Sequence, residues 1–89
     1  MMKTVMIRLS IAEQVKRFVS IVGKYDMPMD LRSGRYIVNA KSILGLFSLD
    51  LSRPIRLEID ETSGKCEDTD KLLKEIAGFT VDKEKNGGE

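Results

Sequence analysis

Hydrophobic and polar residues along the chain follow two periods, and where the period changes the elements change. Lys3 to Leu9 alternates, with Val5, Ile7 and Leu9 on one face and Thr4, Met6 and Arg8 on the other, which predicts a strand with one buried face. Ser10-Ile11-Ala12-Glu13 then has the form of a capping box, the serine bonding forward and the glutamate reaching back. Ile11, Val15, Phe18, Val19 and Val22 follow at helical spacing, with Lys16 and Arg17 on the outer face and Gly23 as a natural stop. Met27, Met29 and Leu31 alternate against Pro28 and Asp30. Because Pro28 cannot donate to a ladder, this strand sits at an edge or pairs late. Ser33-Gly34 predicts a turn, and Tyr36 to Ala40 the returning strand of a hairpin.

Between this hairpin and the next strand the period becomes helical again. Ile43, Leu46, Phe47 and Leu51 form a stripe, Ser42 stands where an N-cap belongs, and Leu44 falls off the stripe. Gly45 weakens so short a helix. The expectation is about two turns, one face buried, with Leu44 and Phe47 near water as ordinary surface or as a partner site. Ser52-Arg53-Pro54 breaks the chain before Ile55, Leu57 and Ile59 alternate with Arg56, Glu58 and Asp60 as the fourth strand. Past a polar loop with Gly64, one of Asp68, Thr69 and Asp70 caps a last helix with Leu72, Leu73, Ile76 and Ala77 on its buried stripe. Phe79 and Val81 end the ordered structure. The order β-α-β-β-α-β-α predicts an α+β open-faced two-layer sandwich, a four-stranded antiparallel sheet with three helices on one face. Residues 1–81 make a single domain, and the charged, glycine-rich residues 82–89 a frayed tail.

Composition narrows the chemistry more than it changes the fold. The 89 residues include no histidine and one cysteine, Cys66. No imidazole is available for a metal, a triad or a phosphohistidine, and a lone cysteine builds neither a zinc site nor a disulfide framework. Most enzyme chemistries are thereby removed, no cofactor is implied, and the expectation is a non-enzyme of a reducing cytoplasm. No apolar run approaches a membrane span. Charge is polarised: residues 1–35 hold seven Lys/Arg against three Asp/Glu, and residues 60–89 five against nine. There is no dense basic run and few aromatics, so nucleic acid is not an expected partner.

The run Gly23-Lys24-Tyr25-Asp26, then Ser33-Gly34, then Asn39-Ala40-Lys41-Ser42-Ile43-Leu44-Gly45-Leu46-Phe47-Ser48-Leu49 resembles the HPr phosphocarrier family of the bacterial phosphotransferase system. The resemblance extends from residue 3 to about residue 78, and the element order matches that family's open-faced sandwich. The family carries phosphate on a histidine at the start of the first helix, with an arginine two residues later and a proline after it. All three are missing here. Arg8-Leu9 runs directly into Ser10, about three residues look deleted, and the nearest counterpart of the acceptor is Ser10 or Ile11.

A second family site does carry over. In the Gram-positive branch the serine that opens the short helix is phosphorylated by a dedicated kinase, and the product binds a catabolite-control repressor. Ser42 matches that serine, and Ile43, Leu44 and Phe47 match the apolar patch beside it. A histidine-less branch that keeps the serine shows that the two roles separate. The resemblance therefore implies a regulatory, protein-binding module switched by phosphorylation at Ser42, with an HPr kinase or a transcriptional regulator as candidate partner. The alternative is a degenerate relative that binds an anion or small ligand at the first helix N-terminus through Ser10, Glu13 and Arg17.

Overall fold

The computed structural model describes residues 2–62 and 66–81. The elements are β1 (Met2–Ile7), α1 (Ala12–Val22), β2 (Met29–Ser33), β3 (Tyr36–Asn39), α2 (Ile43–Phe47), β4 (Ile55–Asp60) and α3 (Cys66–Glu75), with a 3₁₀ turn at Ala77–Phe79. The strands form one antiparallel sheet in the order β1-β4-β2-β3. This is the α+β open-faced sandwich that the periodicity predicts, with the helices on one face. The polar loop at Gly64 and the expected tail over 82–89 lie outside the described residues.

Alternation decides which face the helices cover. Ile55, Leu57 and Ile59 of β4, Met29 and Leu31 of β2 and Ile7 of β1 are buried in one cluster with Val15, Phe18 and Val22 of α1, Leu46 of α2 and Leu72 of α3. Phe18 is fully buried at the centre, its ring edge-on to Phe79 at 6.0 Å. The opposite face carries Thr4, Glu58, Asp30 and Asn39 in one row across the four strands, and Met6, Arg56, Arg32 and Ile37 in the next. The hairpin between β2 and β3 turns at Gly34, whose φ of 61° lies where other residues are strained.

Four local expectations need correction or a choice. Of the two readings that Pro28 allows, late pairing holds: β2 starts one residue beyond it and is an inner strand between β4 and β3. The Pro28 carbonyl still accepts from the Asp60 N–H at 2.9 Å. The capping box is absent. The α1 N-cap is Ile11, which makes no side-chain cap bond and is 58% exposed instead of lying on the buried stripe. The reach-back comes from Gln14, whose Oε1 accepts from the Ser10 N–H at 2.7 Å and from its hydroxyl at 2.9 Å. Asp68, Thr69 and Asp70 do not cap α3, which begins at Cys66 and holds all three within it. Thr69 is buried and donates to Met27 Sδ at 3.4 Å. Finally, Ala77 is exposed, in the 3₁₀ turn rather than on the α3 stripe.

Beyond that turn the chain returns to β1. Arg8 N–H donates to the Phe79 carbonyl at 2.7 Å and Val81 N–H to the Met6 carbonyl at 2.8 Å, so the last described residues clip the outer edge of the sheet.

Candidate functional site

The segment around α2 is fastened at both ends by short polar side chains. Asn39 Oδ1 accepts from Lys41 N–H at 2.8 Å, which turns the chain out of β3. Ser42 is the α2 N-cap, its backbone extended, and its hydroxyl oxygen accepts from Gly45 N–H at 3.1 Å. At the other end Ser48 Oγ donates to the Gly45 carbonyl at 2.6 Å. The glycine that weakens this helix in the sequence has a packing reason. A Cβ at Gly45 would lie 3.1 Å from Val38 Cβ and 3.3 Å from Ser42 Oγ, so a side chain there would press against β3 and the cap.

The apolar side chains of α2 divide by phase. Leu46 is fully buried, and Ile43 packs partly against the core. Leu44 is 81% exposed and Phe47 45%. Leu44 and Phe47 thus lie near water as the sequence leads one to expect, Leu44 projecting outward as its phase predicts. Leu44→Ala is expected to change stability by less than about 1 kcal/mol, where a buried leucine loses about 2–5 kcal/mol. Ser42→Asp is expected to fold, because a carboxylate accepts the same Gly45 N–H. Urea denaturation of the two variants checks both. A loss in the buried range at Leu44, or an unfolded aspartate variant, would make this helix a structural element only.

The start of α1 is arranged differently. Ser10, Glu13 and Arg17 are all exposed. A shallow groove of about 350 Å³ there is lined by Ile11, Glu13, Gln14 and Arg17. Both Ser10 donors already face Gln14 Oε1, and Glu13 and Arg17 line the same groove. Exposed Ile11 is the feature that periodicity misses, since it falls on the stripe but opens the helix above the core edge.

At the far end of α1, Tyr25 Oη donates to Glu75 Oε1 at 2.5 Å and Lys24 Nζ bonds Glu75 Oε2 at 2.9 Å. The hydrogen bond to Glu75 pushes the Tyr25 hydroxyl up to about 12, and the same bond holds the Glu75 carboxyl below its ordinary value. Lys41 Nζ donates to the Tyr25 carbonyl at 2.6 Å, tying this corner to the α2 segment. These groups bind the end of α1 to α3. Among the described residues no cluster of three or more metal-ligating side chains occurs, and no helix is long and apolar enough to cross a membrane.

By sequence, the chain matches no protein-family model and no curated protein. By structure it matches HPr-C-His from Thermoanaerobacter tengcongensis at a TM-score of 0.65 and 22% identity, covering 88% of each chain. It also matches the phosphocarrier protein HPr from Bacillus anthracis str. Ames, at a TM-score of 0.64 and 23% identity, covering 91% of this chain and 96% of that one. The fold is HPr-like.

Proposed function

We propose that this chain is a protein-docking module that presents the α2 face, Ile43, Leu44 and Phe47, to a partner, and that Ser42 is the residue whose phosphorylation switches the docking. It carries no phosphohistidine and acts as no enzyme. The observation that carries the reading is Leu44. An apolar side chain left 81% exposed beside the capping serine contributes little to the fold and much to a contact surface. Phe47 enlarges that surface, and the HPr-like fold supports a protein partner of phosphotransfer or catabolite control, an HPr kinase or a transcriptional regulator being the candidates.

Phosphorylation at Ser42 fits the local geometry. The serine oxygen attacks the γ-phosphorus of ATP, its proton passes to a base of the kinase, and ADP leaves. The ester then stands next to the Gly45 N–H that the hydroxyl already bonds, so the added charge meets a donor and not a carboxylate. The test is incubation with an HPr kinase and ATP, followed by intact-mass measurement. One added phosphate on the wild type and none on Ser42→Ala is the expected result. An unchanged mass, or a phosphate retained by the alanine variant, removes the switch. The alternative reading, an anion held at the α1 N-terminus, gains nothing from Ser10 donors that Gln14 already occupies.

A further inference from the structure

The face of the sheet that the helices leave bare holds a second candidate site, unrelated to α2. Where β1 ends and β4 begins, a cleft of about 460 Å³ is lined by Arg32, Arg53 and Arg56, with Asp50, Met6 and Pro54. Its floor is one cross-strand row, in which Arg56 of β4 stands directly opposite Met6 of β1 on one side and Arg32 of β2 on the other. Two like charges directly opposite in a ladder are destabilising, and the fold compensates only half of the pair. Glu58 accepts from Arg32 Nε at 3.1 Å and Nη2 at 3.5 Å, but lies 4.0 Å from Arg56 Nη1.

The third guanidinium is less engaged still. Arg53 makes no hydrogen bond or ion pair among the described residues, although Asp50 lines the same cleft and its carboxyl, lowered chiefly by the Ser52 hydrogen bonds, also feels the Arg53 charge. The Asp50 carboxylate is turned to its own loop, accepting from Ser52 N–H at 3.1 Å and Ser52 Oγ at 2.6 Å. Arg8, just past β1, reaches only the Ser52 carbonyl at 3.5 Å, and Arg35 sits at the tip of the β2–β3 turn, next to Gly34 of the cleft. Three guanidiniums thus line one cleft with a single carboxylate, Asp50, which bonds its own loop, while Glu58 sits closest to Arg32. The β2–β4 register holds Arg32 and Arg56 side by side, so their charges stay together.

We propose that this cleft binds a small organic phosphate, with the phosphoryl oxygens held by Arg53 and Arg56 and the carbon body resting on Met6 and Pro54. A guanidinium fork matches two phosphoryl oxygens at once, which an ammonium does not. Glu58 bonds the Arg32 guanidinium in the floor of the cleft. The site stands on the bare sheet face and the 50–54 loop, so it does not depend on the reading of Ser42.

Titration of the ¹⁵N-labelled protein with phenyl phosphate and with inorganic phosphate tests the assignment by NMR. The expected result is saturable shifts centred on residues 32–34 and 53–56, with phenyl phosphate binding more tightly because it adds the apolar contact. Arg53→Ala and Arg56→Ala are each expected to weaken binding about tenfold or more. Arg53→Lys keeps the charge and the fold while losing the fork, and is expected to recover only part of the affinity. Shifts that never saturate, equal affinity in Arg53→Ala, or full rescue by the lysine would overturn the proposal. A short DNA duplex that displaces phenyl phosphate at lower concentration would overturn it as well, assigning the cleft to a nucleic acid backbone.

Discussion

Incubated with phosphoenolpyruvate and enzyme I, this chain acquires no acid-labile phosphate under conditions that label a histidine-bearing HPr. The carrier reaction needs a side chain that is nucleophilic at neutral pH and whose phosphorylated form passes the group on, and imidazole supplies both. None of the 89 residues is a histidine. The positions nearest the family's acceptor offer no substitute. Ile11 has no nucleophile, and the Ser10 hydroxyl donates to the amide oxygen of Gln14, which is too weak a base to take its proton. A serine ester formed there would survive acid, so acid treatment before mass analysis separates the two outcomes. Acid-labile phosphate on the wild-type chain would refute the claim.

The largest loss of stability is expected from Phe18→Ala. Phe18 has no solvent exposure, comes from the face of α1 that meets the sheet, and stacks edge-on against Phe79. Its removal takes away the transfer free energy of the ring, the aromatic contact and the packing of the void left behind, together about 3–5 kcal/mol. Domains of this size hold about 5–15 kcal/mol in all. The variant therefore unfolds at a far lower urea concentration and is partly unfolded at physiological temperature. Phe18→Leu, which keeps most of the volume, is expected to lose much less. A loss below about 1 kcal/mol for the alanine variant would mean that the helix layer and the sheet do not share the core described here.

Much of this fold is legible in the sequence because its strands are half-buried. Ile55, Leu57 and Ile59 alternate with charged residues without interruption, and all three are buried. The exposure of Leu44 is likewise readable from phase alone. Periodicity says nothing about neighbours, however, and that is where the reading falls short. Pro28 allows an edge strand or late pairing, and only the ladder to both β3 and β4 decides between them. Ser10 is a good capping residue, but the helix starts one residue later than the local pattern predicts, because Gln14 rather than Glu13 closes the turn. Helix α3 begins before its acidic residues, so Asp68 falls in its first turn, where its charge suits the dipole, and Thr69 and Asp70 lie beyond. The arginine cleft is invisible for a different reason. Arg32 and Arg56 are unremarkable polar positions in their own strands, and they become a pair only through the register of β2 against β4.

The strand order has a consequence for how the molecule comes into being. β4, the strand between β1 and β2 in the ladder, is the last of the described strands to leave the ribosome. Until it does, β1 has no strand partner, since Met2 pairs with Asp60 and Ile7 with Ile55. Among the described residues, the sheet structure open to the nascent chain before then is the β2–β3 hairpin, and an isolated two-stranded hairpin is marginal in water. Closing a loop that long before any contact rewards it makes the entry of β4 the slow, cooperative step. Synthesis that stalls before Ile55 therefore leaves a hairpin and a stray strand with their apolar faces open, a target for chaperones and proteases and not a partly working domain.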